Sequence, residues 1–91
     1  MPNEVERVIR YAERYWLRHD MTEWPTVRQT ARSLRMRISE VVEAIDDSGG
    51  DADLESYNTY PPHPIADHTI YVYSDVVEDA WNRYWGVKAN A

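Results

Sequence analysis

The chain has 91 residues, a length that suits one small domain with a modest core. It contains no cysteine, which excludes disulfides and thiolate metal sites. It also has no long apolar run, so we expect neither a membrane span nor a signal peptide, and a cytoplasmic location. Its formal net charge of −6 argues against a uniformly basic nucleic-acid binder.

The charge is unevenly distributed along the chain. Residues 1–37 carry eight arginines and five acidic residues, whereas residues 38–91 carry two basic and eleven acidic residues. Any contact with phosphate must therefore come from the N-terminal half. The alternative is that these arginines pair with glutamates on solvated helix faces, where such pairs contribute little.

The first predicted helix spans residues 3–19, with Asn3 as its N-cap. Helical spacing places one apolar stripe on it, formed by Val5, Val8, Ile9, Ala12 and Trp16. A second side carries a basic ridge, formed by Arg7, Arg10, Arg14 and Arg18. The ridge could contact a phosphate backbone or an acidic partner, but an ordinary solvated face is the favoured interpretation.

Two short helices follow the loop that ends at Pro25. Thr26 and Gln29 have the spacing of a capping box, and the helix that they open is predicted to end near Leu34. After a break at residues 35–37, a third helix is predicted over residues 38–47. Gly49 or Gly50 is expected to supply its left-handed C-cap.

The C-terminal part changes pattern. Residues 54–60 and 69–74 read as strands of a hairpin, and the proline-rich segment between them forms its tip. Asp75 is expected to open a last helix as N-cap of a capping box with Glu78, and Gly86 is expected to end it. The order of elements predicts an α+β fold that is mainly α.

The segment Pro25–Ile45, PTVRQTARSLRMRISEVVEAI, resembles the helix-turn-helix of bacterial repressors, particularly SOS-repressor-like winged domains. Ala31 occupies the position of the small residue that lets the two helices approach, and Val41 and Ile45 match buried positions of the recognition helix. The resemblance implies one winged helix-turn-helix domain over residues 1–91: three helices, a two-stranded wing and a C-terminal helix. The helix-turn-helix would cover about residues 26–47, the wing 54–74 and the last helix 75–86.

The resemblance also implies a DNA-binding face. Phosphates would be contacted by Arg28, Arg32 and Arg35, and bases would be read by Arg37, Ser39, Glu40 and Glu43. The chain departs from the pattern at the turn, where Arg35 replaces the usual glycine at a cost of about 1 kcal/mol.

A second departure is the acidity that begins at Glu40 and continues through Asp46 and Asp47. A glutamate can accept a hydrogen bond from cytosine N4, but this run of acids would repel phosphate. Moreover, residues 54–74, the expected wing, contain no lysine or arginine. We therefore expect DNA to meet only the N-terminal end of the recognition helix.

Two functions fit these patterns. The first is a small regulator that binds double-stranded DNA, as a homodimer through the aromatic terminal helices. The second is an acidic winged-helix module, an adaptor or inhibitor, that docks on a basic protein and binds no DNA. No catalytic constellation, cofactor or metal is expected, and His63 and His68 are interpreted as polar turn residues.

Overall fold

The computed structural model describes residues 3–55 and 62–89, with the backbone alone for residues 87–89. The fold is α+β and mainly helical, as predicted, and its helices and antiparallel hairpin are compatible with a winged-helix arrangement. The elements are α1 (Glu4–Arg18), α2 (Val27–Leu34), α3 (Ile38–Asp46), β1 (Ala52–Glu55), a 3-10 helix (Ile65–Asp67), β2 (Thr69–Val72) and α4 (Asp75–Ala89).

The core lies where α1, α2 and α3 meet the inner face of the hairpin. It consists of small and β-branched side chains, namely Val8, Ala12, Val27, Ala31, Val41, Ala44, Ile45, Ala52, Ile70 and Val72. Burial of a side chain such as Ile70, which is fully shielded, stabilises the fold by about 1.5–3 kcal/mol. Ala31 of α2 and Val41 and Ile45 of α3 are buried, so the predicted buried positions of these two helices are confirmed.

Two predicted helix starts are also confirmed. The Asn3 side chain accepts a hydrogen bond from the Glu6 amide at 2.9 Å. Thr26 and Gln29 form a reciprocal capping box, in which the Gln29 amide donates to Thr26 Oγ1 at 3.1 Å and the Thr26 amide donates to Gln29 Oε1 at 2.8 Å. These bonds satisfy amides that the first turn of a helix leaves without partners.

The hairpin is joined to the start of α2. Strands β1 and β2 are antiparallel, with Ala52 opposite Val72. On the other edge of β2, Thr26 forms a bridge with Thr69, and the Ile70 amide donates to the Pro25 carbonyl at 2.8 Å. Strand β2 is therefore bonded to β1 along one edge and to the start of α2 along the other.

The predicted bounds of the first strand are wrong at its start. Strand β1 begins at Ala52 rather than at Leu54, because Ala52 pairs with Val72 of β2 and is buried in the core. The predicted strand residues 56–60 lie outside the described residues.

The ends of two helices also differ from the prediction. Helix α3 ends at Asp46, and its C-cap is Asp47 with φ −78°, so Gly49 and Gly50 lie in the following turn rather than in the cap. Helix α4 continues past Gly86 to Ala89, which shows that this glycine does not end it.

The N-cap of α4 is another correction. Ser74 holds that position, because its Oγ accepts from the Val77 amide at 3.3 Å and its carbonyl accepts from the Glu78 amide at 2.9 Å. Asp75 is therefore the first residue of the helix, where its charge suits the helix dipole. Among the described helices, none has the length and apolar character needed to cross a bilayer.

Candidate nucleic-acid interface

The turn between α2 and α3 has a left-handed residue at the position where the resemblance places one. Arg35 follows α2 with φ 55° and ψ 45°, and its amide donates to the Ala31 carbonyl. The next amide, of Met36, donates to the same carbonyl at 2.9 Å. This tight closure leaves the Arg35 side chain exposed at the outside of the turn.

A second arginine holds the turn from α1. Arg7 Nη2 donates to the Leu34 carbonyl at 2.9 Å, and this carbonyl is one of those that the end of α2 leaves without an intrahelical partner. Arg7 was expected only as part of the basic ridge. Its role at the turn was missed because the two residues lie 27 positions apart and no local pattern links them.

The start of α3 places the predicted base-reading residues. Arg37 is the N-cap, and its amide donates to Glu40 Oε1 at 2.9 Å. Glu40 is half-buried and turned toward its own helix end, so its carboxylate is engaged in capping. Arg37, Ser39 and Glu43 are exposed and available to a ligand.

The arginines of α2 differ in their surroundings. Arg28 Nε lies 3.3 Å from Asp67 Oδ1, with the two side chains 50% and 42% exposed, so this pair contributes little to stability. Arg32 is exposed. Within the part of the chain that the structure describes, no carboxylate lies within ion-pair distance of Arg32, Arg35 or Arg37.

The far end of α3 has the opposite charge. Exposed carboxylates continue from this helix onto the outer face of β1, namely Glu43, Asp46, Asp47, Asp51, Asp53 and Glu55. The surface is thus basic around the α2–α3 turn and acidic beyond it. A polyanion can approach the turn end without crossing the acidic side.

The hairpin adds no cation to this face within the described residues. His68 Nε2 lies 3.3 Å from the His63 carbonyl oxygen, which keeps the two histidines together at the base of the tip. Over residues 3–55 and 62–89, no group of three potential ligands has the arrangement needed to hold a metal ion.

The basic ridge of α1 forms one wall of a groove rather than a flat face. The groove has a volume of about 300 Å³ and is lined by Arg7, Arg10, Tyr11, Arg14, Tyr15, Arg18 and Leu34. Tyr11 and Ser33 share a hydrogen bond of 3.0 Å between their hydroxyls, which fixes α1 against α2 at this place. We call this feature the arginine groove.

The aromatic residues of the terminal helices divide into two sets. Trp16 stacks on Trp24 at a centroid distance of 4.9 Å and on Trp81 at 6.3 Å, so part of the rings pack within the chain. Tyr11 and Tyr15 face α2 instead. Trp81 and Trp85 remain 44% and 48% exposed on α4.

Comparison of the chain with protein families, with curated proteins and with solved structures finds no match.

Proposed function

We propose that the protein binds double-stranded DNA through the turn end of a winged helix-turn-helix and regulates transcription in the cytoplasm. The observation that carries the proposal is the set of three exposed arginines around the α2–α3 turn, Arg32, Arg35 and Arg37. All three lack a carboxylate partner among the described residues. Guanidinium groups of this kind suit bidentate contacts with phosphate and with guanine.

The residues divide by role. Arg32 and Arg35 would contact phosphates. Arg28 would join them by giving up its weak ion pair with Asp67 for a contact with phosphate. Arg37 and Ser39, at the start of α3, would reach base edges, with the positive end of the helix dipole favouring the approach. Glu43 would accept from a cytosine amino group, while Glu40 acts as the helix cap.

The orientation follows from the acidic side. If α3 lay along the major groove over its full length, Asp46 and Asp47 would approach phosphates. We therefore propose that α3 points its N-terminal end into the groove and that its C-terminal end stays outside. A homodimer would present two such ends to a palindromic site.

The test is a selection from a duplex library at low salt, followed by binding measurements on the enriched duplex. Substitution of Arg32 or Arg35 by alanine should weaken binding to all sequences and reduce the salt slope by about 1. Arg37→Ala should lose about 1–3 kcal/mol and relax the preference at one base pair. Arg83→Ala, an exposed arginine of α4, is the control. Equal binding by all four variants would show that the proposed face is wrong.

A second function is favoured by the acidic side of α3 and β1. Its exposed carboxylates would suit a basic protein, so that the domain serves as an adaptor or inhibitor. The double variant Asp46→Asn, Asp47→Asn separates the two functions, because it removes charge with little change of shape and leaves Glu43 in place. The variant should bind DNA more tightly under the first proposal, and it should lose a basic partner under the second. Retention of the wild type on heparin at low salt supports the first.

A further inference from the structure

The arginine groove has a floor of two tyrosine rings and a leucine between rims formed by its arginines. Its arginines recur at steps of three and four residues, so they extend over about 16 Å of helix. Tyr11 is held by its hydrogen bond with Ser33, and Tyr15 stacks on His19 at a centroid distance of 4.0 Å. Together with Leu34, these rings form a surface that can receive apolar side chains.

The charge of the groove is largely uncompensated. Glu6 lies 3.9 Å from Arg10, a long contact between side chains that are 53% and 60% exposed. No other carboxylate of the described residues lies within ion-pair distance of a groove arginine. A fitting occupant therefore carries carboxylates next to large apolar side chains.

Helix α4 of this chain has that composition. Asp75, Glu78 and Asp79 are exposed, and so are Trp81 and Trp85. Steps of three and four residues place Asp75, Glu78, Trp81 and Trp85 along one side of the helix. This side offers two carboxylates followed by two indole rings, which favour contact with guanidinium groups through their faces.

The groove cannot be filled by the α4 of its own chain. Within one chain, α4 is attached to α1 through the hydrogen bond from Ser74 Oγ to Glu13 and the stacking of Trp81 on Trp16. On a helix of 3.6 residues per turn, Trp16 projects about 160° away from Arg14. The groove and the attached α4 therefore lie on opposite sides of α1.

We propose that the arginine groove binds α4 of a second copy of this chain. Asp75 and Glu78 of α4 would pair with Arg10 and Arg14, while Trp85 and the face of Trp81 that is turned away from Trp16 would cover the tyrosine floor. A two-fold axis makes the contact twice and closes a dimer. The contact uses none of Arg32, Arg35 and Arg37, so the dimer can be refuted without refuting DNA binding, and DNA binding can be refuted without refuting the dimer.

The experiment measures the mass of the full chain by sedimentation velocity at about 50 mM salt, where exposed charges are weakly screened. The wild type should be a dimer. The groove variant Arg10→Glu, Arg14→Glu and the helix variant Asp75→Arg, Glu78→Arg should each dissociate into monomers, with a loss of at least about a hundredfold in affinity. Circular dichroism checks that both variants stay folded.

Mixing makes the test specific, because the two variants are complementary. An equimolar mixture of the groove and helix variants should recover the dimer mass, since opposite charges again meet at both contacts. The matched controls are Arg32→Glu and Glu43→Arg, which reverse exposed charges outside the groove and outside α4. Both controls should remain dimers.

Three results would overturn the proposal: a monomeric wild type at about 100 μM, a dimer that survives both double reversals, or a mixture that stays monomeric. A further outcome assigns the groove to another ligand. If the groove variant keeps its mass but loses retention on a single-stranded oligonucleotide, the groove binds nucleic acid and the proposed contact is wrong.

Discussion

The left-handed turn residue Arg35 gives the sharpest prediction about this fold. Its φ of 55° and ψ of 45° lie in a region that side chains with a Cβ atom populate at a cost of about 1–2 kcal/mol. Glycine adopts the same conformation without that cost. Replacement of Arg35 by glycine should therefore stabilise the domain, and replacement by alanine should not.

The size of the effect follows from two opposing terms. Glycine removes the cost of the left-handed conformation but has more freedom in the unfolded chain, which offsets about 0.5–1 kcal/mol. The Arg35 side chain is exposed and has no ion pair among the described residues, so its removal adds little of its own. The glycine variant should be more stable than the alanine variant by about 0.5–1 kcal/mol, which corresponds to a Tm difference of about 2–8 °C.

Urea and thermal unfolding of the two variants, followed by tryptophan fluorescence, provide the measurement. The alanine variant is the matched control, because both substitutions remove the same guanidinium group. A common loss of affinity for DNA then reports the charge, and a difference in stability reports the backbone. If glycine proved no more stable than alanine, the left-handed geometry of the turn would be refuted.

Three further predictions concern the elements that hold the site. Thr26→Ala should cost about 1 kcal/mol in urea unfolding, because it removes the Oγ1 acceptor of the α2 capping box, and Thr26→Ser should retain most of the stability. Ile70→Ala should cost about 2–5 kcal/mol at this fully buried position, whereas Ile70→Val should cost about 0.5–1.5 kcal/mol; equal losses would contradict the packing described. Glu13→Ala should free α4 by deleting the acceptor of the Ser74 hydroxyl, which hydrogen exchange would detect as faster exchange in α4 with α2 unchanged.

The parts of this fold that the sequence predicted are those encoded locally. The capping box at Thr26 depends on residues three positions apart, and the buried face of α3 depends on a period of 3.6 residues. The left-handed conformation of Arg35 was expected only from the resemblance, in which glycine usually holds this turn position, and no local pattern of the chain indicates it.

The parts that were missed depend on distant or competing residues. The contact of Arg7 with the Leu34 carbonyl and the pair of Arg28 with Asp67 join residues 27 and 39 positions apart. Ser74 and Asp75 are both good N-caps, and only the path of the chain from β2 decides between them. At Gly86 a Cβ atom would meet nothing within 4 Å, so no crowding or left-handed backbone requires a glycine there and the helix continues.

The position of β2 has a consequence for how the chain can be divided. This strand contacts a segment more than 40 residues earlier in the chain. The Ile70 amide donates a hydrogen bond to the Pro25 carbonyl, and the Ile70 side chain fills the core beneath α2. A fragment that ends before β1 would keep α1, α2 and α3. It would leave the Pro25 carbonyl and the Val27 amide without their hydrogen-bond partners, and it would leave a void where Ile70 packs. We therefore expect a fragment of α1 to α3 to be less stable than the whole domain.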